Sequence, residues 1–305
     1  MLKQVRINKP IDGITNVVLA SFGNLVINQG SENSLIIKTT EKIEKFLICK
    51  KEGNTLTLEI ENNDPWLYRF IGLFDNPKNN CLTYFLTLKN INEVISEGSG
   101  NITFESCIAS ENFKLKLKAS GNIDLKKVNA SSLALFSSGS GNLRGESLKA
   151  DNNIQLTVKG RGDIDLKDVN ASEIEMNSSG SGNFKAESMK VSNQAKLKLS
   201  GSGNIKIDNL IINSLESEII GKGDVMLSGV AKFQCLTARG SGDYSSKKFK
   251  TETAKIKQGG SGDISVNVTK SISATSTGTG NLKVRGNPSE RSVKISGTGN
   301  LKYSN

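Results

Sequence analysis

The chain predicts an all-β fold, a right-handed parallel β-helix whose coils each hold about 20 residues in three short strands. Three observations carry this. The element Gly-Ser-Gly-Asn, or a close variant, recurs eleven times; the step between copies is nearly constant; and the residues between copies alternate apolar with polar at period two.

The recurring element is read as a corner. Gly100-Asn101, Gly121-Asn122, Gly141-Asn142, Gly162-Asp163, Gly182-Asn183 and Gly203-Asn204 follow one another at 20 or 21 residues. Asp224, Asp243, Asp263, Asn281 and Asn300 continue the series at 18 to 20. Glycine reaches positive φ at little cost, which is what a sharp bend between strands is expected to need. Asn and Asp tolerate left-handed geometry and bond to nearby backbone. Their free exchange in this position argues for a structural role over a charge-dependent ligand site.

The strands follow from the runs between corners. One place after each marker the residue is always apolar, as at Ile102, Ile123, Leu143, Ile164, Phe184 and Ile205. A second inward run is marked six places on by Cys107, Val128, Leu148, Val169, Met189 and Val230, and a third by Ile154-Leu156-Val158 and Leu197-Leu199. The helical period of 3.6 is absent. One coil cannot bury its own apolar side, so neighbours must supply both burial and hydrogen bonds. Stacked at about 4.8 Å, the coils make a rod roughly 50 Å long. The hand follows from the preference of crossovers between parallel strands. Two regions result: residues 1–95, opening β coils with an aromatic capping insertion, continuous with the regular β-helix of 96–305.

Composition limits the chemistry. The chain has 305 residues with 30 glycines and only 4 prolines, so the glycine is positional and not that of a disordered linker. It has no histidine, which removes the commonest general base and metal ligand. Cys49, Cys81, Cys107 and Cys235 are dispersed and form no CxxC pair, so they read as reduced structural cysteines, with no metal and no cofactor expected. The net charge is +10, but the lysines alternate with aliphatics, as in Phe113-Lys114-Leu115-Lys116-Leu117, which is the solvated side of a strand. Aromatics are not interleaved with them, which argues against nucleic acid. No apolar run is long enough to span a membrane. The first residues lack the apolar stretch of a secretory signal, which points to an internal protein, a removed leader, or another export route.

The copies of Gly98-Ser99-Gly100-Asn101-Ile102, with the opening segment around Ser21-Phe22-Gly23-Asn24, Leu35-Ile36-Ile37, Asn54 to Leu58 and Leu82 to Ile95, resemble the bacterial GIN-domain family, described as head domains of autotransporter-type adhesins. The resemblance implies a right-handed β-helix, exported to the cell envelope, with no enzymatic activity.

Candidate sites are few. Residues 62–85 break the repeat and gather Trp66, Tyr68, Phe70, Phe74, Tyr84 and Phe85. Of these, Trp66, Tyr68, Phe70 and Phe74 form the candidate partner-binding patch for a protein or glycan, with capping of an open end as the alternative. Arg161-Gly162-Asp163 and Gly259-Gly260-Ser261-Gly262-Asp263 look like an integrin motif and a calcium repeat, yet both sit on corners. Asp163, Asp165 and Asp168 are the densest acids and would serve the alternative of a polysaccharide-active enzyme. A structural assembly module, self-associating through solenoid ends, is the remaining reading. The function expected is a non-enzymatic binding or adhesion scaffold.

Overall fold

The computed structural model describes residues 3–61 and 81–304, and shows a β-solenoid of stacked parallel coils. The opening elements are β1 (Gln4–Lys9), β2 (Asn16–Ala20), β3 (Asn24–Gln29), β4 (Ser34–Thr40), the short helix α1 (Glu41–Glu44), β5 (Leu47–Glu52), β6 (Thr55–Ile60), β7 (Thr83–Leu88) and β8 (Glu93–Ser96). Nine long strands follow: β9 (Ile102–Leu117), β10 (Ile123–Ser137), β11 (Leu143–Val158), β12 (Ile164–Ser178), β13 (Phe184–Leu199), β14 (Ile205–Ile219), β15 (Val225–Ala238), β16 (Tyr244–Gln258) and β17 (Ile264–Ser276). The last turns are β18 (Leu282–Arg285), β19 (Glu290–Ile295) and β20 (Leu301–Ser304).

Each long strand is one coil, paired in parallel with the coils before and after it. Three separate strands per coil were expected; the ladder instead runs on around two of the three corners. The three sides persist as phases of burial. In β10, Ile123 and Leu125, then Val128 and Ala130, then Leu133, Leu135 and Ser137 point inward. Two outward residues in succession separate one run from the next, and register shifts fall there. Only the Gly-x-Gly corner interrupts the strand.

Register then builds the core. Leu25, Ile102, Ile123, Leu143, Ile164, Phe184, Ile205 and Val225 lie one over another. Ile123, Ile164 and Ile205 are 0%, 1% and 0% exposed, and a single apolar cluster runs from Ile11 to Val284. Phe104 and Phe113 meet edge to face across it, ring centres 6.0 Å apart.

The corners hold by two contacts. The first is close backbone approach. A Cβ on Gly121, Gly141, Gly162, Gly182 or Gly203 would overlap the carbonyl oxygen of the equivalent glycine one coil earlier. Positive φ was expected here, but among the described residues it occurs only at Gly13, Gly53, Gly229 and Gly286. The corners need glycine for lack of room, not for its left-handed freedom.

The second contact is a side-chain ladder. The Oδ1 of every marker from Asn24 to Asn281 accepts the backbone N–H of the next marker, in eleven successive bonds of 2.7–3.1 Å. Only an oxygen is required, and Asn and Asp both carry one. That is the physical reason the two residues exchange.

Two of the residues read as inward from their distance to the marker are not inward. In β9, Cys107 is exposed and Ile108 takes the inward place; Cys235 is exposed as well, so neither is a core cysteine. In β15, Gly229 at φ +124° turns the first corner with one outward residue, Ser228, where β10 uses two. Val230 therefore faces solvent although its distance from the marker had placed it inside.

The opening strands are less regular than predicted. β3 lies between β7 and β9, and β2 between β6 and β8, all parallel. Beyond them β4 is added antiparallel to β7, β1 antiparallel to β4, and β5 antiparallel to β6. Ile43 of α1, a helix the periodicity did not foretell, is buried against this end.

Gly141→Ala is expected to lower stability by about 3 kcal/mol or more, because backbone must move to admit the methyl group. Asn122→Ala should cost about 1 kcal/mol by orphaning the Asn142 N–H, while Asn122→Asp keeps the acceptor and stays near wild type. Urea unfolding midpoints, with amide exchange at residue 142, check both.

Candidate functional site: a cleft under a charge checkerboard

The residues proposed for partner contact, Trp66, Tyr68, Phe70 and Phe74, lie outside the described residues. Their described neighbours take structural places. Tyr84 is buried, its hydroxyl donates to Ser21 Oγ at 3.4 Å, and burial holds its phenol well above the ordinary value. Phe85 lies beneath the Lys38 ammonium, 4.6 Å from ring centre to nitrogen.

The motif-like corners are also structural. In the Arg161-Gly162-Asp163 segment, Asp163 Oδ1 accepts both the backbone N–H and the side-chain Nδ2 of Asn183. In the Gly259–Asp263 segment, Asp263 does the same for Asn281. Among the described residues no group of three or more His, Cys, Asp or Glu side chains is arranged to hold a metal ion. No described helix is long and apolar enough to cross a membrane.

Of the acidic trio, Asp163 belongs to the ladder and Asp168 to the next corner, beside Ser147 and Ser188. Asp165 alone reaches a concavity on the regular coils. This is a cleft of about 320 Å³ along the first corner of β9 to β13, lined by Thr103, Phe104, Asp124, Leu125, Lys126, Arg144, Gly145, Glu146, Asp165, Lys167 and Glu187. Gly145 helps open it. It stands in an inward column between Leu125 and Leu166, and a Cβ there would crowd Leu166 Cδ2.

The rim has a regular electrostatic order. Asp124, Arg144, Asp165 and Lys185 form one outward column. Two residues further along each coil, Lys126, Glu146, Lys167 and Glu187 stand beside them. Sign alternates down each column and across each coil, so every interior charge has opposite neighbours. The ion pairs reflect this: Arg144–Asp124 at 4.0 Å, Lys167–Glu146 at 3.7 Å, Lys185–Asp165 at 3.9 Å and Lys185–Glu187 at 4.0 Å. All are substantially exposed, so each adds little stability in water. Their main effect is to leave a concavity with many donors and acceptors and almost no net charge.

Sequence reasoning missed this site because it sought acids close together within one coil. The signal was there at two spacings at once, i+2 along the strand and 20 or 21 residues between coils. It becomes visible only when coils are written in register.

Arg144→Glu is expected to set three acids in succession down one column and lower stability by about 1 kcal/mol at low salt. Thermal unfolding should show the loss shrinking in 1 M NaCl.

Comparison with known proteins places the chain. Residues 15–190, and again 184–288, match the family described as "Putative auto-transporter adhesin, head GIN domain". The chain is similar to a solved "putative adhesin" from Bacteroides fragilis, with 18% identity, coverage of 99% of this chain and 97% of that one, and a TM-score of 0.33. It is also similar to one from Parabacteroides merdae, at 15%, 99%, 97% and 0.36 in the same order. A Parabacteroides distasonis structure titled "Putative lipid binding protein" gives 15%, 98%, 96% and 0.47. No curated protein sequence matches. With repeated corners, stacked coils and a match over most of its length, the chain belongs to the GIN-domain family.

Proposed function

We propose that the chain is a non-catalytic binding scaffold of the cell envelope that meets a protein or glycan partner with its outer sides. The observation that carries this is the checkerboard around the cleft. Cleavage of a glycosidic bond calls for two carboxylates facing one bond, one of them kept protonated. Here each acid has a cation beside it, in the next coil or two residues along its own. Such a rim suits a neutral polyhydroxyl ligand or a surface of mixed charge, to which it offers paired donors and acceptors without repelling either sign. The adhesin description of the family supports the same reading, as does the absence of histidine. We place a second contact at the aromatic stretch with Trp66, Tyr68, Phe70 and Phe74.

The test is capture on glycan and extracellular-protein arrays, alongside a screen of polysaccharides for released reducing ends. Arg144→Ala with Glu146→Ala should lower capture about tenfold, the worth of one or two exposed charge-assisted hydrogen bonds. Deleting residues 64–78 should lower it independently, with circular dichroism unchanged in both variants. Polysaccharide turnover would overturn the non-catalytic reading. Undiminished capture by both variants would overturn the placement of the contacts.

A further inference from the structure

The outer columns of the solenoid are polar almost throughout, with an exception across β14 and β15. The middle side carries the outward column Asn129, Lys149, Asn170, Lys190, Ile211, Val230, Lys250. Ile211 and Val230 are 43% and 48% exposed. Three residues beyond Val230, Phe233 is 56% exposed in a column otherwise made of Ser132, Asn153, Glu173, Gln194, Ser214 and Thr253. In the same coil Gln234 points inward and is only 2% exposed, its Nε2 donating to Tyr244 Oη at 2.7 Å. One coil thus turns a phenylalanine out and an amide in, against the hydrophobic preference of both. Gly229 is the backbone device that brings Val230 to the surface.

The charges around this patch differ in kind from the checkerboard. Lys190 and Lys250 flank Ile211 and Val230 within the column, and among the described residues neither is in an ion pair. The nearby acid Glu252 is engaged by Lys270 at 2.6 Å. The strip from Lys190 to Lys250 covers three rungs, roughly 14 Å at the strand spacing. An extended segment of about four residues has that reach.

We propose that this strip is a docking site for a short acidic polypeptide segment, with apolar side chains on Ile211, Val230 and Phe233 and carboxylates on Lys190 and Lys250. The site is separate from the cleft and does not rest on its reading. Charge complementarity selects the occupant. A second copy of this chain would bring the same unpaired lysines against these. A bilayer would meet an apolar area only two coils wide, bounded by charge at both ends. A short segment with acids flanking apolar residues satisfies both features at once.

The experiment uses a fluorescent random copolymer of glutamate and tyrosine as probe. Polyglutamate and vesicles of phosphatidylglycerol or phosphatidylcholine are the other arms. The copolymer should bind more tightly than polyglutamate, and its affinity should fall on raising salt. Val230→Ser with Phe233→Ser, and separately Lys190→Glu with Lys250→Glu, should each weaken it about tenfold. All four side chains are at the surface, so unfolding midpoints should stay near wild type. Copolymer binding unchanged in both variants, no copolymer binding by the wild type, or binding of phosphatidylglycerol vesicles in preference to the copolymer would each overturn the proposal. None of these outcomes alters array capture through the cleft.

Discussion

Contact between backbones at the glycine corner is the constraint from which the rest of the solenoid follows. Where one corner glycine lies against the carbonyl of the glycine below it, no side chain fits between, and coils can approach at the ladder spacing on all sides. The Asn and Asp oxygens then tie each corner to the next by one hydrogen bond. Both contacts are short-ranged and repeat with the coil, so register is renewed at every turn and a slip in one coil is not passed on. The apolar columns are the consequence: like residues lie over like because the corner leaves them no other place.

That constraint leaves the outer surface free to vary. Side chains at outward places contribute little to holding the rod, so the same scaffold presents a balanced checkerboard over β10 to β13 and, on another side, an apolar, lysine-bounded strip from β13 to β16. The two surfaces would be read by different chemistry. The first offers paired donors and acceptors with no net sign; the second offers apolar contact between positive ends. A long stack with several independent faces suits the binding role proposed for this chain.

Much of the fold was legible because it is written in local spacing. Ile123, Ile164 and Ile205 are inward as the alternation requires, and Asn and Asp exchange because either supplies the needed oxygen. The misreadings have local causes. Along a single coil the corner glycines read as bends needing positive φ, whereas crowding from the coil below decides them, and one coil cannot show that. Counting from the marker puts Cys107 and Val230 inside, yet both are exposed. Corners one residue longer or shorter, such as the one turned by Gly229, move the inward phase without altering the composition. The cleft was missed for a related reason: Asp124, Arg144, Asp165 and Lys185 are far apart in the chain and adjacent only across rungs.

By itself the sequence determined the coil: its length, its three inward runs, its glycine corner and the stacking that a one-sided apolar pattern demands. These depend on residues near one another in the chain. Tertiary structure alone decided how the chain closes its first end with the antiparallel strands β1, β4 and β5, which charges become neighbours, and where Phe233 is turned out while Gln234 is turned in. Those outcomes depend on contacts between coils, and pairing across rungs is set by register, which is a property of the assembled stack.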